Sequence, residues 1–299
     1  MGSGHDLTSG ACGAWPLPGD ASCAATARAL YREVAAEVGI GTDLAYDGVT
    51  MASELAANTL HTRAGGPARA RGRSELWLYL RGSGATRELV CKVFDCCPAW
   101  KSGAAPSPYP LQAAPEAMGG RGLQVVHELS GGRWGHHLTR ARLGGWKSRG
   151  KAIWFALPAP LPGGACPAGD GVTGPAAGVL TVQHCTQLSA RQATEKLRAM
   201  LAARGLGVRL RQDGQRPAGV PADVLADGPA DVSVLWLPRG LTVSCRDGLV
   251  LMESPAGDRQ HWTYADLVDV SERAVWMHEE LCWPRGQSPP DPPTWASPA

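Results

Sequence analysis

Two residues four apart, Glu54 and Asn58 in the stretch ELAAN, carry side chains that could act on one ligand. On a helix this spacing puts both on one face. Asn58 offers a neutral carbonyl oxygen, a hard donor suited to Mg²⁺. Glu54 offers a carboxylate, either as general base toward a hydroxyl or water, or as holder of a metal-bound water. The competing reading is an ordinary polar helix face, since short motifs recur by chance.

Two further signals follow in order. Asp95 ends the apolar run ELVCKVF. A carboxylate there accepts a hydrogen bond from an amine, the property that separates adenine from guanine; the alternative is a turn Asp capping the loop after it. Gly119, Gly120 and Gly122 surround Arg121 just before a helical run. Glycines let backbone approach phosphates, the helix start offers free N–H groups, and Arg121 adds a fork donor. The alternative is a lid hinge. Between Asp95 and about Met118 lies a Pro/Gly/Ala/Ser-rich stretch, the length of a functional lid.

The elements that must position these residues are legible from periodicity. Apolar spacing predicts helices over 22–38 and from Thr42 or Asp43 through 62, the latter carrying Glu54 and Asn58. Alternation predicts strands over 74–80 and 88–94, joined by Gly-Ser-Gly at 82–84 as a hairpin. A helix follows Gly122, then strands over 134–139 and 152–157. This order predicts an α+β fold, a two-layer α/β sandwich with helices on one face of a mostly antiparallel sheet. After it, a helix over 189–203, strands over 232–237, 241–245 and 249–253, and a helix over 264–281 predict a small α+β C-terminal domain. The expected boundaries are a flexible leader 1–20, an N-terminal domain 21–158, a Pro/Gly linker 159–177, the second domain 178–284 and a disordered tail 285–299. Met252 and Trp276 are expected in the core of the second domain.

The combination resembles the GHKL, or Bergerat-fold, ATPases, and within them the solitary anti-sigma-factor serine/threonine kinases of actinomycetes. ELAAN resembles the family's N-box, VFDCCP its first glycine box and GGRGLQVVHELS its second; WGHHLT and GKAIWFALP resemble the closing strand pair. The resemblance covers about residues 20–158. It implies ATP and Mg²⁺ as cofactors, Asn58 as the Mg²⁺ ligand, Glu54 as candidate catalytic base and Asp95 as adenine reader. Gly119, Gly120, Arg121 and Gly122 would lie along the phosphates. His61 stands three residues after Asn58, where relatives often carry Lys or Arg facing phosphate, and Cys96, Cys97 and Pro98 replace the usual glycine of the first box. The implied activity is phosphorylation of Ser/Thr on a partner antagonist protein. The second reading, which the departures favour, is a nucleotide-gated protein-binding module without phosphotransfer. The implied partners are a sigma factor or an anti-anti-sigma antagonist, with a homodimer allowed. Too few residues precede the first helix for a sensor kinase's dimerising module.

Composition bounds the rest. The chain has 299 residues, 44% hydrophobic and 19% charged, enough for two cores. A net charge of +2 advertises no nucleic-acid partner. No apolar run is long enough to span a membrane and no leader pattern is present, so the expected location is the cytoplasm. Nine Cys without CxxC spacing read as reduced, mostly buried thiols. His136 and His137 are neighbours in a strand, point to opposite faces and are expected to be structural. The eleven Trp read as core and interface anchors rather than a stacking platform.

Overall fold

Residue 7 and residues 11–65, 72–97, 121–143, 148–159, 188–210 and 232–282 are described by the computed structural model. Helix α1 (Cys23–Glu37) forms because Cys23, Ala27, Tyr31 and Val34 recur at helical spacing and all are buried. Helix α2 (Thr42–Gly65) buries Met51, Ala52, Leu55, Ala56 and Thr59 on one side. Helix α3 (Arg121–Leu129) buries Val126 and packs along α2. These three helices cover one face of a five-stranded antiparallel sheet, ordered β1-β2-β3-β5-β4. Its strands are β1 (Cys12–Pro16), β2 (Glu75–Arg81), β3 (Glu88–Asp95), β4 (Trp134–Arg140) and β5 (Arg149–Pro158).

The β2–β3 hairpin turns where expected, and Gly82 is required there. Its φ is +70°, and a Cβ would lie 2.5 Å from the carbonyl oxygen of Thr86. The expected helices and strands of this half agree with the observed ones, whose ends differ by up to three residues. The leader does not agree. Residues 12–16 form an edge strand paired to β2, and Leu7 and Leu17 lie in the core. The run CGAWP is too short and too broken by Gly and Pro to announce a strand, and it is set by pairing with β2. The expected linker likewise starts late: Ala159 is buried and donates its N–H to the Arg87 carbonyl at 2.8 Å. The lid, the rest of that linker and the tail lie outside the described residues.

The C-terminal half is α4 (Ala190–Ala203), then the strands β6 (Arg209–Leu210), β7 (Ser233–Trp236), β8 (Thr242–Arg246), β9 (Leu249–Glu253) and β10 (Arg259–Thr263), then α5 (Leu267–Leu281). Ser189 caps α4 in a reciprocal capping box with Gln192. The strands make a second antiparallel sheet, β10-β9-β8-β7-β6. Leu235, Val243, Val250 and Met252 pack against Leu197 and Leu201 of α4 and against Leu267, Val270 and Ala274 of α5.

The expectation of helices on one face of the first sheet is corrected here. Helix α5 is buried on both sides, and its polar side covers the back of that sheet against β2 and β4. Trp276 accordingly sits beside His137 of β4, ring centroids 6.1 Å apart, rather than in the C-terminal core. Buried charge holds this seam. Glu272 Oε1 accepts from Arg142 at 2.7 Å and from Arg204, and Lys92 approaches Oε2 at 3.6 Å. Asp269 accepts from Tyr79 Oη at 2.8 Å, and Glu279 pairs with Arg140 and Arg149. Burial alone would raise the Glu272 carboxyl, but Arg204, Arg142 and Lys92 hold it well below the usual carboxylate range.

His137 lies in the same seam, facing Lys92, Glu272 and Arg204. Its Nδ1 lies 3.1 Å from the Leu138 carbonyl, so Nδ1 carries the hydrogen and Nε2 accepts from Lys92 at 3.3 Å. Burial, then the Lys92 ammonium, pushes its pKa from 6.5 down to about 3. The unfolded ring takes a proton near pH 6.5 while the folded ring stays neutral until about pH 3, so the stability is full above 6.5 and falls with pH. Between those limits this group should cost about 1.4 kcal/mol per pH unit. Urea melts from pH 7 to 5 should show a steeper loss for the native chain than for His137→Asn. Equal slopes would remove His137 as the source.

Candidate functional site

Glu54 and Asn58 sit beside the buried stripe of α2, both half-buried. They share one face, as their spacing predicts. The start of α3 is laid against them. A Cβ on Gly122 would lie 2.9 Å from Glu54 Oε2 and 3.4 Å from Asn58 Nδ2. Glycine at 122 therefore lets the helix start approach the two polar side chains. Arg121, one residue earlier, is exposed. The structure thus brings together Glu54, Asn58 and Gly122, with Arg121 next to Gly122 in the chain. Gly119 and Gly120 lie outside the described residues. His61 lies within α2, one turn after Asn58.

Asp95 ends β3 on the side of the sheet that faces α2, the side of Leu89, Cys91 and Val93. It is buried. Its Oδ1 accepts from the N–H of Cys97 at 3.0 Å, and its Oδ2 accepts from Lys151 Nζ at 2.8 Å. Lys151 also donates to the Cys97 carbonyl. Strand pairing sets Asp95 directly opposite Lys151. Gly150 is glycine for a steric reason: a Cβ would lie 2.1 Å from the Asp95 carbonyl oxygen. Sequence reading passed over Lys151. The available signal was a lone cation inside the apolar strand KAIWFAL, which burial requires to be paired.

The chemistry of this donor set suits a magnesium-bound polyphosphate. Asn58 supplies a hard oxygen, Glu54 a carboxylate, and the glycine at 122 leaves room that a side chain would fill. Among the described residues no three His, Cys, Asp or Glu side chains cluster as a metal cage. A Mg²⁺ held through one side chain and phosphate oxygens needs no such cage.

The other candidates resolve structurally. His136 and His137 are both buried, and His137 faces the seam with α5. The described cysteines Cys12, Cys23, Cys91, Cys96, Cys97, Cys245 and Cys282 are free thiols. Trp77, Trp134, Trp154 and Trp276 are buried anchors. No helix among the described residues is long and apolar enough to cross a membrane.

No protein-family model matches the chain, and no curated protein matches it.

Proposed function

We propose that the first sheet with helices α1 to α3, residues 12–158, forms a Bergerat-type two-layer sandwich that binds Mg-ATP, its sheet backed by the C-terminal half. On this reading the chain is a regulator of the anti-sigma type that phosphorylates Ser/Thr of a partner antagonist. The observation that carries it is the seating of Gly122 against Glu54 and Asn58. That contact joins two sequence-distant motifs into one polar cradle at a helix start.

In this arrangement Asn58 would hold the Mg²⁺, and Arg121 with the α3 backbone would meet phosphate oxygens. Bound Mg²⁺ supplies charge neutralisation to the phosphates. Glu54 takes the proton from the attacking hydroxyl as its oxygen bonds to the γ-phosphorus and the bond to ADP breaks. Asp95 accepts from the adenine amino group.

Mg-ATP at a hundred times its Kd should stabilise the chain by about 2.7 kcal/mol, read as a thermal shift. Gly122→Ala should weaken ATP about tenfold by pressing on Glu54 and Asn58, a loss of about 1.4 kcal/mol. It should leave the ligand-free melting temperature unchanged or slightly raised, because alanine favours helix. A flat response of the native chain to Mg-ATP would overturn the reading.

The second reading is a nucleotide-gated protein-binding module without phosphotransfer. It is favoured by Cys97, whose N–H and carbonyl are both tied into the Asp95–Lys151 pair. Occupancy at Asp95 would thereby bear on the backbone of Cys97. Sigma factor, antagonist protein or a second copy are the partners either reading would serve.

A further inference from the structure

The two halves carry separate apolar cores. One is built from residues between Leu7 and Ala159, the other from residues between Ala190 and Val275, and no residue belongs to both. Between them α5 lays one stripe on the back of the first sheet. Asp269, Glu272, Trp276 and Glu279 are spaced three, four and three apart and share a helix face. The charges of the seam are sorted by sign. Helix α5 brings the three carboxylates, and the first half brings Arg81, Lys92, Arg140, Arg142 and Arg149. Asp266, just before α5, accepts from the Gly82 N–H at 2.7 Å. Arg204, at the end of α4, is the one cation that the C-terminal half adds to these pairs among the described residues. Val268 adds apolar contact with Tyr79 and Trp154.

Such a seam selects its partner more than it adheres to it. A buried ion pair recovers in attraction about what its desolvation costs, so it fixes which surfaces meet and adds little net affinity. Arg142 Nε, Arg204 Nε and Glu272 Oε2 are buried there without a hydrogen-bond partner, which weakens the closed seam further. The halves can part with both cores intact. Residues 160–187 join them, a length of chain that reaches on the order of 90 Å when extended. A second copy carries the same acidic stripe and the same basic sheet, so it supplies both sides of a second matched seam.

We propose that the basic back of the first sheet is a docking face for the acidic stripe of α5, and that its occupant in trans is the α5 of a second copy: two chains exchange C-terminal halves and close into a dimer that contains this seam twice. Within one chain the tether holds α5 at an effective concentration on the order of millimolar. The monomer therefore prevails in dilute solution, and the dimer takes over as the protein concentration approaches that value. The inference stands on the seam and not on the nucleotide reading.

The test uses two full-length variants that reverse opposite sides of one pair. Arg140→Glu spoils the sheet side and Glu279→Arg the helix side, so each chain alone meets like charge in cis. In a mixed dimer one seam pairs native Arg140 with native Glu279, and the other pairs the two introduced residues. The variants are refolded together from urea and read by size-exclusion chromatography with light scattering. The mixture should hold about tenfold more dimer than either variant alone, with one chain of each kind by native mass spectrometry. A single chain with both changes, matched again in cis, should return to monomer in dilute solution. Native chain refolded at about 1 mM should be about half dimer, and at about 10 µM monomer. That native series decides the matter should either reversal prevent folding. Folded variants that stay monomeric when mixed overturn the proposal, as does a native chain with no dimer at about 1 mM. Equal dimer in either variant alone overturns it too, since association then does not use this pair.

Discussion

Glu272→Gln is expected to destabilise the chain by about 3–5 kcal/mol, the cost of removing one partner from a buried ion cluster, and to lower its melting temperature by on the order of 10 °C. The substitution keeps size and shape and removes only charge. It strands three cations, because Arg204, Arg142 and Lys92 all converge on this carboxylate. Arg142 and Arg204 also lie over the Trp77 ring, at 5.4 and 4.9 Å. Those contacts add no anion. The cluster joins α5 to the back of the first sheet, so the loss should appear as one transition for both halves. The Glu272 carboxyl is held below its usual range in the folded chain, so its contribution is full above the unfolded carboxylate range and fades as pH falls through the folded value. The melts of the native chain and of the Glu272→Gln variant should therefore converge in acid. Arg198→Ala, in an exposed pair with Glu195, is the control and should move stability by about 0.5 kcal/mol or less. Urea melts at pH 7 read both. A Glu272→Gln chain as stable as native would show that the seam is held by apolar contact instead.

This cluster also marks where sequence reading stopped. Helices α1, α2 and α4 were legible because each buries one stripe and ends at a Gly or a cap. Strands β2 to β5 were legible because their apolar runs stop at turn residues. Helix α5 has the same amphipathic pattern, and nothing in its own sequence marks its acidic side for burial. In the structure that face is buried, because Tyr79 for Asp269, Lys92 and Arg142 for Glu272, and Arg140 for Glu279 all lie more than a hundred residues away, and Arg204 reaches Glu272 from the end of α4. Charge pairing across such distances leaves no local signal. Strand β10, RQHWT, was missed for a related reason: it is polar and lies at a sheet edge, where pairing with β9 and not side-chain burial fixes it. The site was legible in part. The four-residue spacing of Glu54 and Asn58 gave their shared face, and the glycine box gave the approach of α3. The Asp95–Lys151 pair needed the register of β3 against β5, which no periodicity reports.

Glu54→Ala carries the largest expected effect on activity. If Glu54 is the base, transfer of the γ-phosphoryl to a Ser/Thr partner should fall by about 10²- to 10⁴-fold, the usual share of a positioned general base. Affinity for Mg-ATP should change by about threefold or less, since Asn58, Arg121 and the α3 backbone are untouched and Gly122 gains room. The reaction is followed with labelled ATP and candidate antagonist proteins, alongside calorimetry for binding. The same variant separates the two readings. Partner regulation lost with ATP binding retained supports chemistry at Glu54. Regulation kept at native strength, with ATP still required, supports gating. The gating reading needs only that the nucleotide bind one conformation of the chain better than another, with no transfer. Chemistry needs a proton acceptor as well, and Glu54, set against Gly122 one helical turn before Asn58, is the carboxylate placed to be that acceptor.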